Sequence, residues 1–504
     1  MASARPPEAE RAASSRAYAA YALALLTLIN FLNYTDRNVV FAVFEPLKRE
    51  LALSDQQLGW LASAYIIVLA VAALPLGALA DLKSRRGVIA WGVGLWSAFT
   101  ALGGLVQRFW QLFACRALVG IGEAGYGPAS QALIAEYFRG NRRAFAIGVY
   151  SVGMAFGGVA GIWLGGELEQ AYGWRAAFLA MGIPGFVLAV LASQLREPLQ
   201  RRAASLLTTL RRSVDSVERG VRRAAFYLRP LVILGLVGAA LGGVLALFEG
   251  VPSEVDAAVF GVFATAGFAW TIWRLVPAAV RRTTEAGEVA TTAFEDFLEA
   301  GSFVLRTPTL IWVFVGGALV TFAANGLIAW APSFMQRVHG MTVTQVGRNF
   351  GLWALVGSSL GALFGGRMGD ALMRRWVGGR VLASGVGFVL GGPVCAALLL
   401  VDRPGLFVPL LFATFFLYTW YNGPLASVVL DVVPPPVRAS VLGAFVLFSH
   451  LAGDALAGPV IGTISDRVGL RTAMLVLPAA GVVGGLATLG ALRTVGQDMA
   501  RVRE

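Results

Sequence analysis

The stretch GALADLKSRR (residues 77–86) returns 289 positions later as GRMGDALMRR (366–375). Both copies hold a frame of Gly77, Asp81, Arg85 and Arg86, repeated as Gly366, Asp370, Arg374 and Arg375. Each closes an apolar run and puts its charge into a short loop. A second pair lies further along. Gly127-Pro128, then Arg143-Ala144 and Gly148, recurs as Gly423-Pro424, then Arg438-Ala439 and Gly443, at an offset of 295–296. Two signatures in matching loops at matching offsets describe a chain made of two parallel repeats. Repeats of this kind, six helices each, are a known way of building a membrane transporter.

The rest of the chain fits that frame. It has 504 residues, 57% of them hydrophobic and only 14% charged, with a mean hydropathy of +0.69. A soluble domain carries about 25% charged residues. An apolar run of about 20 residues crosses a bilayer as a helix. The 61 glycines suit membrane helices, which approach closely through small residues. Fourteen runs qualify as spans. Six lie at 18–44, 58–80, 88–106, 112–134, 144–166 and 176–195. Two lie at 230–248 and 257–280. Six more lie at 309–331, 347–369, 381–401, 406–432, 439–464 and 472–492. The expected fold is all-α: two six-helix bundles with pseudo-two-fold symmetry, plus two extra helices between them. The expected parts are a tail at 1–17, a bundle at 18–195, a basic linker with the extra spans at 196–306, a bundle at 307–492 and a tail at 493–504.

The formal net charge is +12. In a soluble chain that points to nucleic acid, but here the charge is sorted by side. Of 41 Lys and Arg, 28 fall in loops on the side of both termini and 8 in loops on the other. That is the positive-inside pattern, so both termini are expected in the cytoplasm and the protein in the plasma (inner) membrane. No nucleic-acid partner is expected. The nine arginines of 196–229 read as a segment touching anionic headgroups, or as a plain linker. Residues 283–306 read as a second amphipathic connector. Cys115 and Cys395 form no disulfide framework, and His339 and His450 leave no metal-ligand spacing.

Charge inside the spans marks the candidate site. The first span carries Asn30, Asn33, Tyr34, Asp36 and Arg37, with Asn30, Asn33 and Arg37 on one helix face. A charge at bilayer depth costs at least about 2.5–3.5 kcal/mol on insertion scales, so it needs a partner or a wet cavity. The fourth span carries Arg116 and Glu123, seven residues and about 10 Å apart along one face. Asp36 and Glu123 are the candidates for proton coupling, and Arg37 and Arg116 for the paired cations that meet cargo. The alternative for each is a fixed ion pair holding helices together. His450 and Asp454, four residues apart, read as a second proton site or a structural pair. Tyr65, Tyr126, Asn325, Trp330, Tyr421 and Asn422 join Asn30, Asn33 and Tyr34 as candidate cavity lining. The glycines of 153–166 read as a packing surface. No Walker loop or soluble catalytic domain is visible, so no cofactor is expected and the proton gradient is the energy source.

Three segments resemble the Spinster family of major facilitator transporters. They are Asn33-Tyr34-Thr35-Asp36-Arg37, Arg116 through Ala124 ending Gly-Glu-Ala, and Ser449-His450 through Asp454, Gly458-Pro459 and Ser465-Asp466. The resemblance implies twelve core helices, lysolipid- or sphingolipid-like cargo and, in several members, proton linkage through the positions of Asp36, Arg37 and Glu123. It also implies that Gly77 to Arg86, with Asp370, Arg374 and Arg375, acts as a conformational latch between halves. The spans at 230–280 depart from the twelve-helix pattern. The expected partners are a small amphiphilic substrate, protons and membrane lipids, with the protein a monomer. The alternative is a sialin-like organic anion/proton symporter, and a remoter one is a membrane-embedded lipid enzyme.

Overall fold

The computed structural model describes residues 16–82, 85–138, 142–196 and 303–503. Among them the chain is helical, with no strand. The expected spans 230–248 and 257–280, and the connectors flanking them apart from Arg196 and 303–306, lie outside the described residues.

The first half holds α1 (Arg16–Ala42), α2 (Phe44–Glu50), α3 (Asp55–Leu82), α4 (Arg85–Gly103), α5 (Phe109–Tyr137), α6 (Arg142–Tyr172) and α7 (Trp174–Ser193). The second half opens with α8 (Pro308–His339), α9 (Val343–Met373), α10 (Gly379–Leu400), α11 (Pro404–Tyr418) and α12 (Pro424–Asp431). It closes with α13 (Arg438–Ser449), α14 (Ala455–Val468), α15 (Leu470–Met474), α16 (Val476–Gly490) and α17 (Val495–Arg503). Seven helices among the described residues are long and apolar enough to cross a membrane. In lipid every backbone polar group must be satisfied within the protein, and helices do this segment by segment.

The face carrying Arg16 is called near here, and the opposite face far. Turn chemistry is repeated between the halves. Gly173 joins α6 to α7 at φ +82° and Gly469 joins α14 to α15 at φ +85°. They sit 296 positions apart, the offset of the Gly-Pro signatures. A side chain there would meet the steric penalty of positive φ. On the far face, Thr342 opens α9 with a reciprocal capping box: its hydroxyl accepts from the Gln345 N–H at 3.2 Å, and Gln345 Oε1 accepts from the Thr342 N–H at 2.9 Å.

Three expected spans are not single helices, the span 472–492 being divided at Leu475 between α15 and α16. The span 406–432 breaks at Thr419–Gly423 into α11 and α12. Pro424 has no N–H to continue the ladder. Shorter bonds fill the gap: Trp420 N–H to Leu417 O and Asn422 N–H to Thr419 O. The span 439–464 is interrupted by one π-helical turn, His450–Asp454, between α13 and α14.

Within the first half, α1 lies along α6. A Cβ at Gly153, Gly157 or Gly161 would collide with the α1 backbone at Thr27, Phe31 or Thr35. The glycine run is therefore a packing stripe, as expected. The halves meet where α3 packs on α14 and α6 on α9, through residues at the far ends of these helices. Phe44 and Trp330 pack edge to face there, 5.6 Å between centroids.

Candidate functional site

The four charges singled out inside the spans come together, and they pair crosswise. Arg37 of α1 binds Glu123 of α5: Nε donates to Oε2 at 2.7 Å and Nη2 lies 2.6 Å from the same oxygen. Arg116 of α5 faces Asp36 of α1, with Nη1 3.8 Å from Oδ1. Neither pair joins neighbours on one helix. Each ties α1 to α5, and the set carries no net charge. Asp36, Arg116 and Glu123 are buried, while the Arg37 side chain keeps 18% of its surface exposed.

The two pairs differ in how well they are satisfied. Asp36 Oδ2 accepts from Thr100 Oγ1 of α4 at 2.8 Å. The three Arg116 nitrogens, Asp36 Oδ1 and Glu123 Oε1 have no hydrogen-bond partner among the described residues. A buried polar group without a partner costs about 1–3 kcal/mol, more when charged. The Tyr65 ring of α3 partly offsets this. Arg37 Cζ lies 5.5 Å and Arg116 Cζ 5.2 Å from its centroid, within cation–π range. Tyr34 takes Arg37 at 4.7 Å on its own ring.

The remaining candidates divide. The Tyr126 hydroxyl lies 2.6 Å from Asn30 Oδ1 and 3.1 Å from Asn33 Oδ1, and Asn30 Nδ2 donates to Tyr150 O at 2.9 Å. All three candidates are buried between α1, α5 and α6, so they are packing polar groups rather than cavity lining. Trp330 is also corrected. It is fully buried, and its Nε1 donates to Gly458 O at 3.3 Å, in the far-face contact between halves. Tyr65 is buried between the two guanidiniums rather than lining an open surface. Tyr34, Asn325 and Tyr421 are half-buried and Asn422 is exposed, the last two on the break between α11 and α12. His450 Nδ1 lies 2.5 Å from Asp454 Oδ2, and Asn325 Nδ2 donates to Asp454 Oδ1 at 2.7 Å. These three form one cluster on α8 and the π-helical turn.

The latch residues bond inside their own halves in this conformation. Arg85 pairs with Glu136 and Arg86 donates to Leu195 O at 3.2 Å. Asp370 accepts from Arg380 at 2.9 Å, and Arg374 and Arg375 are exposed. The side chains of Gly77 and Asp81 lie outside the described residues.

Sequence reasoning missed the far-face ion cluster. Arg337 at the end of α8 donates to Glu45 Oε1 at 2.8 Å and to both Asp55 oxygens at 2.6 and 2.7 Å. Lys48 and Ser465 also reach Asp55, each at 2.5 Å. Burial alone would raise the Asp55 carboxyl, but the bonds from Arg337, Lys48 and Ser465 outweigh it and hold it at about 2. The residues stand in loop-flanking positions where charge is ordinary, so no pattern marks them. Thr100 was missed for a similar reason, as one hydroxyl in an apolar run.

Three comparisons bear on this arrangement. The family model described as the Major Facilitator Superfamily matches residues 26–253 and again 222–453. A Mycolicibacterium smegmatis protein called an MFS-type efflux pump is 28% identical, over 89% of this chain and 86% of its own length. Protein spinster of Drosophila melanogaster is 24% identical over 87% of this chain, which spans 60% of that longer protein. Among solved structures, a bacterial homolog of the human lysosomal transporter Spinster, inward-facing and unoccupied, has the same fold. Its TM-score is 0.71 at 22% identity, covering 96% of this chain and 99% of the other.

Proposed function

From the premise that the chain belongs to the Major Facilitator Superfamily and is a multi-pass transporter of the Spinster type, we propose that it couples proton movement to an amphiphilic, lipid-like cargo by alternating access. Its family consists of transporters, which sets aside the enzyme reading. The near face, rich in Lys and Arg, is the cytoplasmic one on this reading.

One observation carries the proposal: Arg37 and Glu123 form a close ion pair whose arginine alone reaches open surface. A guanidinium and a proton compete for the same carboxylate. When the anionic group of a cargo draws Arg37 away, Glu123 is left buried without its counter-charge and takes up a proton. When cargo leaves, Arg37 returns and the proton is released. Asp36, held by Thr100 and facing Arg116, keeps the second cation in place beside Tyr65. The polar C-terminal-half cluster of Asn325, His450 and Asp454, with Tyr421 and Asn422, offers hydrogen bonds from the other wall.

Purified protein is to be screened by thermal shift against lysophospholipids and against sugar acids. Proteoliposomes loaded with a pH dye then report proton movement on addition of the stabilising compound. A lysophospholipid that stabilises the protein, and moves protons through it but not through Glu123→Gln, supports the reading. Stabilisation by sugar acids alone, or undiminished proton movement in Glu123→Gln, overturns it.

A further inference from the structure

Two contacts hold the far face shut, and they occupy the same place in the two repeats. In the first, the end of α14 meets the start of α3. The Asp55 N–H donates to Asp466 Oδ1 at 2.8 Å and the Gln56 N–H to Asp466 Oδ2 at 2.9 Å. The first N–H groups of a helix have no partner within it, and they carry the positive end of its dipole. Ser54 Oγ caps the Gln57 N–H from within the half at 3.1 Å, and the two N–H groups it leaves open are taken by a carboxylate from the opposite half. The two helices also touch backbone to backbone: a Cβ at Gly59 would collide with the Gly458 carbonyl, and one at Gly462 with the Asp55 carbonyl.

In the second contact, the end of α6 meets the start of α9. The Thr344 hydroxyl donates to Gln170 Oε1, and Arg348 pairs with Glu167 at 3.1 Å. The offset of 289 that carries Gly77 onto Gly366 also carries Asp55 onto Thr344. The offset of 296 that carries Gly173 onto Gly469 also carries Gln170 onto Asp466. Asp466 and Gln170 are therefore the same position, a carboxylate in one repeat and an amide in the other. Both side chains are exposed, and the difference lies in the charged groups that adjoin each contact. Asp55 is held by Arg337, Lys48 and Ser465 in a largely buried cluster, whereas the Arg348 and Glu167 side chains keep 68% and 37% of their surface. Exposed pairs contribute little to stability.

We infer that Asp466 is the positioning residue of the far gate. It caps α3 from the opposite half and holds α14 to α3, while its neutral counterpart Gln170 makes the weaker contact, which opens first. The inference rests on the alternating-access reading but uses neither cargo nor proton.

The test places spin labels at Gln107 and Arg403, exposed positions in far-face loops of the two halves, and measures their distance in liposomes. Cys115 and Cys395 are replaced by alanine. A second pair at Gln194 and Val377 reports the near face. Asp466→Ala is expected to add a longer far-face distance, shifting the closed-to-open ratio by about 5- to 30-fold, the range of one lost cap. Asp466→Asn, which keeps an acceptor without the charge, falls between it and the wild type. Gln170→Ala shifts the ratio less than either. Gln170→Glu, which moves a carboxylate to the twin position, restores closure in the Asp466→Ala background. Wild-type distances in Asp466→Ala, or an equal shift in Gln170→Ala, overturn the inference; if Asp466→Ala does not fold, Asp466→Asn against Gln170→Ala decides it. A far face that opens while the near face stays open refutes alternating access and leaves the role of Asp466 intact.

Discussion

The repeat places α5 of the first half against α11 and α12 of the second, and the two have been put to opposite uses. Helix α5 runs unbroken through Pro128 and carries Arg116 and Glu123. At an offset of 296 their counterparts are Phe412 and Thr419, and the helix breaks at Thr419–Gly423. The first-helix counterpart of Asp36, at 289, is Asn325. The arginine–carboxylate pairs lie in one half, and the matching positions of the other carry uncharged side chains. The physical reason is visible at the two threonines. Thr100 donates to a carboxylate, Asp36, at 2.8 Å. Thr419 donates to main-chain carbonyls, Ser358 O of α9 at 3.0 Å and Phe415 O of α11 at 2.9 Å, and so ties the end of α11 to α9. A buried ion pair needs its partners at fixed distances, and a continuous helix supplies that. The broken helix turns Thr419 to main-chain carbonyls, and gains a place to bend.

The largest expected effect comes from unpairing the charged half. Arg37→Ala leaves Glu123 buried without a counter-charge, which costs about 3–5 kcal/mol of stability. Arg37→Ala with Glu123→Gln should recover most of that loss while both variants lose coupled transport. Thermal unfolding of the purified proteins separates the two effects. If the single and double variants melt alike, the pair is not the stressed element and the contrast between halves fails. A smaller effect sharpens the contrast at the threonines. Thr100→Val removes a hydrogen bond to a charged group and should cost about 1.5–3 kcal/mol, whereas Thr419→Val removes one between neutral groups and should cost about 0.5–1.5 kcal/mol. Equal losses would mean that Asp36 is not ionised where Thr100 holds it.

Much of the fold and the core of the site are legible in the sequence, because they depend on composition and repetition. An isolated Asp36-Arg37 or Glu123 in an apolar run cannot be silent, given the cost of burying charge, so these residues announce a site. The two Gly-Asp-Arg-Arg frames announce two halves. The partners are another matter. Sequence spacing puts Asp36 beside Arg37 and Arg116 in line with Glu123, yet each arginine pairs with the carboxylate of the other helix, because packing across α1 and α5 sets those distances. Trp330 reads as lining and is found buried against Phe44, since aromatic residues serve either purpose with the same pattern. Arg337 and Asp55 are invisible, and Asp466 enters only through the family resemblance, because charge next to a loop is unremarkable until three helices bring it together.

The two charged regions also answer differently to pH, and this gives the smallest expected effect. Asp55 is held at about 2, below its ordinary 3.8. A carboxylate lowered on folding contributes stability that is complete above its unfolded value and is lost as pH falls through its folded one. The contribution of Asp55 to the far gate should therefore stay constant from pH 8 down to pH 5, and be lost only as pH falls from about 4 toward 2. A change in transport across pH 5–8 that Glu123→Gln abolishes then arises at the Arg37–Glu123 pair, and one that survives it arises at another group. The far-face label distance is expected to stay constant over that range in both the wild type and Glu123→Gln, while the pH dependence of transport is present in the first and absent in the second. A far-face distance that moves between pH 5 and 8 in Glu123→Gln would give the gate a titrating group of its own, and would end the division of labour between the two regions.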